Sequence, residues 1–313
     1  SKVAAEDCNL LMSQGFKVIK TISSGTYGRV YHITHPELGE VAAKVVDNEK
    51  FDLNEWNVAG VMNQESIQMC PYIIQKFLAK QFESSTVLLM NYANLKPLTS
   101  LVRNSNEQIS INLLRVIMYQ LLQGVRILHS ANLVHGNLNL DNILMHCSDP
   151  SKGALLKIAG FSVAQEVSKD KLVSSAGILQ YKAPELLTND KRGNNKIDRW
   201  SVGLIMFELK MKRFPFHAGS LTELKNNIGK VIPRPTELIT AEQEEEMPIS
   251  GYDYNKRDSN QDKDHYWSLL LGLLQRDPQK RVSAESALRH PFFSKTNMPP
   301  SQKLIIQVNP IET

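Results

Sequence analysis

The 313 residues carry 36 Lys and Arg against 32 Asp and Glu, a net charge of +4, with 42% hydrophobic and 22% charged residues. That is an ordinary soluble globular balance, long enough for two cores rather than one, and no Lys/Arg run forms a nucleic-acid footprint. No apolar stretch approaches the ~18 residues of a membrane span, so neither nucleic acid nor a bilayer is expected as a partner. Cys8, Cys70 and Cys147 are too scattered for a disulfide framework or a zinc site. They fit a reducing compartment, with the cytoplasm as the default expectation and secretion after loss of a targeting segment as the alternative.

Residues 1–15 read as a short leader with about one helical turn. From Phe16 the apolar residues alternate through Val18, Ile22, Val30, Tyr31, Ile33 and Val41 to Val46, with turn residues at Ser23–Gly28 and Pro36–Gly39. That spacing predicts three antiparallel strands. The first turn contains Gly25 and Gly28, and glycines let backbone amides approach phosphate closely; such a string is also an ordinary hairpin turn in any β-rich domain. Lys44 lies on the third strand, in Val41-Ala-Ala-Lys44, and Glu55 on a predicted helix over Leu53–Met62. Gly60 weakens that helix by ~1 kcal/mol relative to alanine. Ile73–Phe77 and Thr86–Met90 read as two more strands, and residues 98–104 and 110–131 as helices. Leu114, Ile117, Leu121, Val125 and Leu128 share one face of the longer helix, which marks it as part of a core.

Two short apolar runs, Asn142–Met145 and Ala154–Ile158, flank a polar loop with Pro150 and Gly153, a predicted hairpin. His135-Gly136-Asn137 precedes the hairpin and Gly160-Phe161-Ser162 follows it. Residues 163–182 form a polar stretch that ends in Tyr181-Lys-Ala-Pro-Glu185. Asp198-Arg-Trp-Ser-Val-Gly203 then opens an apolar helix. Residues 232–265, with Glu242–Glu246, read as a solvated polar insertion. Arg276-Asp-Pro-Gln-Lys-Arg281 and His290-Pro-Phe-Phe293 come near the end.

In this order the strings resemble the protein kinase superfamily, over roughly residues 16–294. That family has a glycine-rich loop over the nucleotide phosphates, a V-A-I-K lysine paired with a helix glutamate, H-R-D-x-x-x-x-N and D-F-G around a hairpin, and A-P-E closing the activation segment. The resemblance implies an α+β, bilobal fold. A leader over 1–15 would precede a small antiparallel β-sheet lobe with one main helix over 16–91; a larger, mostly helical lobe over 92–294 and a tail over 295–313 would follow. It implies nucleotide contacts from Gly25, Gly28, Lys44, Glu55 and Asn142, with Met90 guarding the pocket before the hinge Asn91-Tyr-Ala-Asn94. Val30, Ala42 and Leu144 would sandwich the adenine. It also implies an ion pair between Arg281 and Glu185, and an apolar stack containing His135 and Phe161.

Most departures from the family pattern fall on charged positions, although Ser23 also replaces the first glycine of the glycine-rich loop. Asn137 stands in place of the H-R-D aspartate, Asn139 of a lysine that meets the transferred phosphate, and Gly160 of the D-F-G aspartate. Ile178 stands in place of a bracing threonine, and Gly136 of the arginine that anchors a phosphorylated activation segment. An amide takes up no proton near neutral pH, and glycine offers magnesium no side-chain oxygen. The expectation is therefore a catalytically inactive homologue, a pseudokinase rather than an enzyme. It would act as a scaffold or allosteric regulator of a protein partner such as an active kinase or its substrate. No catalytic residue, no metal site and no required cofactor are expected, with ATP binding of little Mg²⁺ dependence left open. The alternative is an atypical ATP-using transferase with low or non-standard phosphotransfer activity.

Overall fold

The computed structural model describes residues 2–51, 58, 60–62, 65–103, 108–166, 177–187, 194–216, 219–228, 230, 232–235, 238 and 260–294. Five antiparallel strands make the sheet of the smaller lobe: β1 (Lys17–Gly25), β2 (Gly28–His35), β3 (Gly39–Asp47), β4 (Lys76–Gln81) and β5 (Ser85–Asn91), in the order β1-β2-β3-β5-β4. Val30 pairs with Lys44, His32 with Ala42, and Ala42 with Met90. Directly opposed residues share a face and neighbours along a strand alternate. Val30, His32, Ala42, Lys44 and Met90 therefore lie on one face, with Tyr31, Ile33, Val41, Ala43 and Val45 on the other.

The second face is a buried apolar cluster closed by Leu11. Leu11 belongs to α1 (Lys2–Ser13), a 12-residue helix where the sequence predicts about one turn. Its buried side chains are Asp7 and Leu11, spaced i,i+4 on one side of the helix. One leucine and one carboxylate are too sparse a stripe to read as amphipathic, because the polar member is buried by its partners rather than by its own nature.

β4 begins at Lys76 rather than Ile73 because the segment before it bonds to the other lobe. Ile74 N donates to Ile158 O at 2.9 Å, and Ile158 N donates to Tyr72 O at 2.8 Å. The helix expected over 53–62 falls largely outside the described residues, Glu55 included; its Val58 and Met62 are buried in the main core. A further single turn, α2, spans Glu65–Gln68.

The larger lobe is mostly helical. It contains α3 (Ser100–Arg103), α4 (Ile111–Ser130), α5 (Lys196–Met211), α6 (Leu221–Asn227), α7 (Asn260–Leu273) and α8 (Ala284–Leu288). Between α4 and α5 run β6 (Leu133–Val134), the hairpin β7 (Ile143–His146) and β8 (Leu155–Ile158), and β9 (Gln165–Glu166), which pairs with β6. α4 starts where the Ser110 hydroxyl caps the Leu113 amide, and it buries all five predicted core residues. Its 20 residues are long and apolar enough to cross a membrane, contrary to the sequence reading, but the most apolar window is 67% buried inside the lobe. Gln120 on α4 accepts from Leu156 N at 2.8 Å, which ties the helix to the hairpin. α7 begins inside the expected polar insertion and buries Tyr266, Leu269, Leu270 and Leu273. Residues 239–259, with the Glu242–Glu246 run, lie outside the described residues.

Candidate active site

Lys44 defines which way the sheet faces. Its side chain leaves β3 on the Val30, Ala42 and Met90 face, and its Nζ donates to Ser162 Oγ in the larger lobe at 2.7 Å. That face is therefore the roof of an inter-lobe cleft. At the rim, Gly28 has φ of +119°, and a Cβ there would lie 2.7 Å from Val45 O. Only glycine lets β2 turn so close to β3. Gly25, at the end of β1, faces open space. Leu144 lies on β7 of the larger lobe, bridged to Pro97. Val30, Ala42, Lys44 and Met90 are thus on one side of the cleft, and Leu144 and Asn142 come from the other lobe; Glu55 cannot be placed among the described residues.

The loop before the hairpin is gripped from behind by Asp198. That carboxylate is buried at the start of α5 and accepts from His135 N and Gly136 N, both at 2.9 Å, and from His129 Nε2 at 3.0 Å. Burial works against its charge, but the His129 hydrogen bond and the neighbouring charge and amide outweigh burial and hold the carboxyl below its usual range. His135 is fully enclosed, and burial pushes its imidazole down, so the neutral ring donates from Nε2 to Ala159 O at 2.8 Å. It meets Phe161 with ring centroids 4.8 Å apart, the stack that the resemblance implies.

The positions that depart from the family pattern form a network of their own. Asn139 is 2% exposed, and its Oδ1 caps the turn Leu140–Asn142, accepting from Asp141 N at 3.0 Å and Asn142 N at 3.2 Å. Its Nδ2 donates to Asn137 Oδ1 at 3.1 Å. Asn142 Nδ2 donates to Asn137 O at 2.8 Å. Two asparagines therefore bond side chain to side chain where the family pattern has an aspartate and a lysine, and the retained Asn142 reaches the backbone oxygen of the first. Sequence reasoning read the substitutions together as a joint loss of chemistry and missed that Asn139 bonds Asn137.

Gly160 is left-handed, with φ of +79° and ψ of 42°. A Cβ there would overlap the Asn142 side chain. Replacing Gly160 with aspartate is accordingly expected to lower stability by about 1–3 kcal/mol, read as a drop in the denaturant midpoint at unchanged slope. The turn Phe161–Val163 follows and delivers Ser162 to Lys44. Nothing in the sequence marks Ser162, because a serine after phenylalanine has no signature by itself. Ile178 is 40% exposed and offers Asn137 no hydroxyl.

No group of three or more His, Cys, Asp or Glu among the described residues could hold a metal. Magnesium prefers oxygen ligands and usually keeps several waters beside substrate phosphates and one or two carboxylates. The Asn142 amide, beside Gly160, fits as a neutral oxygen ligand to an ion arriving with a nucleotide. When bound, such an ion would neutralise phosphate charge.

A two-lobed fold with the strand lysine, the gripped loop and the turn after β8 meeting in one cleft defines a protein kinase. The chain belongs to that family: the protein kinase domain model matches residues 16–293. Its curated relatives include cyclin-dependent kinase G-1 of Oryza sativa subsp. indica, 28% identical across 92% of this chain and 43% of that protein. Cyclin-dependent kinase 11A of Homo sapiens is 27% identical across 91% of this chain and 37% of its own. Cyclin-dependent kinase B2-1 of Oryza sativa subsp. japonica is 26% identical, with 90% of each chain covered. The chain thus spans less than half the length of the first two relatives.

These relatives overturn the expectation of a catalytically inactive, non-enzymatic homologue: each is named a kinase. The expectation that no cofactor is required is corrected with it, since the family's reaction uses ATP with Mg²⁺. The error was to treat each missing carboxylate as indispensable. Phosphoryl transfer passes through a loose transition state in which positioning and electrostatics supply most of the acceleration. An amide that orients the hydroxyl keeps the first of these and gives up part of the second.

Proposed function

We propose that this chain is the catalytic domain of a protein Ser/Thr kinase that transfers the γ-phosphoryl group of ATP, with Mg²⁺, to a protein hydroxyl. The observation that carries this reading is Lys44, buried on the roof of the cleft and joined to Ser162 across it. In this reading Val30, Ala42 and Leu144 enclose the adenine, with Met90 behind it and Asn142 on the metal side. Gly25 and Gly28 open the phosphate loop, and Lys44 meets the phosphates. Asn137 accepts the hydrogen bond of the substrate hydroxyl and aims its oxygen at phosphorus. The new P–O bond forms as the bond to the ADP leaving oxygen breaks, and the hydroxyl proton leaves with the product phosphate or to water. The absent carboxylate makes this a slow kinase.

The names of the relatives also support an activating protein partner of the cyclin type, beside the protein substrate. The test is incorporation of label from γ-labelled ATP into a Ser/Thr peptide library, with Mg²⁺, in the presence and absence of a cyclin panel. Label should enter the peptides with the wild-type chain and fall at least ~10²-fold with Lys44→Ala. Incorporation no greater than that of Lys44→Ala under every condition overturns the reading.

A further inference from the structure

α1 does more than cover the back of the sheet. Asp7, 4% exposed, accepts from Arg29 Nε, from Arg29 Nη2 at 3.0 Å and from Tyr31 Oη at 2.6 Å. Arg29 Nη2 also donates to Asp47 Oδ1 at 2.8 Å, and Asp47 in turn accepts from Lys50 at 2.9 Å. Arg29 follows Gly28 directly. It stands opposite Ser24 on β1 and Val45 on β3, at the base of the Gly25–Gly28 turn. Its guanidinium therefore ties the outgoing arm of that turn to a helix on the far side of the sheet. A bidentate Arg–carboxylate pair fixes orientation as well as distance, and burial screens it little from its partner. The adjacent Gly28 sits where a Cβ would meet Val45 O, so the turn depends on a backbone conformation that Arg29 helps to hold.

We propose that Asp7 is a positioning residue for the phosphate loop: by fixing Arg29 it holds the Gly25–Val30 backbone in the conformation that receives nucleotide phosphates. The proposal deepens the ATP reading above and rests on it for its nucleotide readout. Docking of α1 and nucleotide affinity are then one coupled equilibrium, and whatever displaces the helix weakens ATP.

Two measurements on the full chain test this. The first is amide hydrogen exchange over residues 26–30, without nucleotide, in wild type and Asp7→Asn. The second is fluorescence titration with a labelled ATP, displaced by unlabelled ATP or by adenosine, which lacks phosphates. Asp7→Asn is expected to speed exchange of these amides and to weaken ATP by at least about five-fold but adenosine by less than about two-fold, since Val30 alone of this segment meets the adenine. Arg29→Gln should do the same, and the double variant should be no weaker than either single one. Unchanged exchange, or parallel weakening of ATP and adenosine, would show that the helix serves stability alone and overturn the proposal. A wild-type chain that binds no ATP would instead be a failure of the nucleotide reading. The exchange measurement decides the positioning role in that case, since it uses no ligand.

Discussion

Replacing Asn137 with aspartate is expected to raise the phosphotransfer rate by about 10²–10⁴-fold at neutral pH, the usual range for a positioned general base. The two side chains have the same shape, so the change adds charge without displacing neighbours. Asn139 Nδ2, 3.1 Å from Asn137 Oδ1, would donate equally well to a carboxylate, and Asn142 Nδ2 binds the backbone oxygen, which is unaffected. The gain should appear in kcat with little change in the KM for ATP, because in the proposed reading this side chain faces the acceptor hydroxyl rather than the nucleotide. A rate within two-fold of wild type would place Asn137 away from the reacting hydroxyl.

Arg281→Ala is expected to cost about 3–5 kcal/mol of stability, the range for breaking a buried pair from one side. The Arg281 side chain is wholly enclosed. Its Nη1 and Nη2 reach Glu185 Oε1 and Oε2 at 2.8 and 3.1 Å, and Nε donates to Gln275 O at 3.0 Å. Nη1 also donates to Lys196 O at 2.6 Å, and the guanidinium lies 5.2 Å from the Trp200 ring centre. Alanine removes all of these donors at once and takes from Glu185 the cation it pairs with. Urea unfolding followed by tryptophan fluorescence would measure the loss. Exchanging both partners for apolar residues, Arg281→Met with Glu185→Leu, should recover most of it, since no charge is then left buried. A loss below 1 kcal/mol for Arg281→Ala would mean that water reaches the pair.

The sheet, the hairpin and the core helix were legible in the sequence because each follows from local periodicity: alternation in β1 to β3, and the 3.6-residue stripe of Leu114 to Leu128 in α4. The Arg281–Glu185 pair was legible only through the family resemblance, being 96 residues apart. α1 was underestimated because its anchor is a carboxylate whose partners, Arg29 and Tyr31, lie on another element. β4 was misplaced because Ile73 and Ile74 are apolar for the sake of the other lobe, not the sheet. In the site, the positions could be read and their consequence could not. A glycine and two asparagines looked, taken together, like a deletion of function. Only in three dimensions do Asn139 and Asn142 both appear bonded to Asn137, with Ser162 supplying an oxygen to Lys44 two residues beyond Gly160. The hinge holds another such case: Tyr92 stacks on His32 with centroids 3.7 Å apart, a contact that strand alternation alone does not announce.

Asp198 grasps the loop by the amides of His135 and Gly136, groups that every non-proline residue possesses. Residue 137 can consequently change its side chain while the chain path stays the same, whereas Gly136, with φ of +75°, is held to glycine by its backbone. The side chain offered to a substrate at residue 137 is thereby uncoupled from the anchoring of the loop, so an exchange of amide for carboxylate there leaves the grip of Asp198 intact.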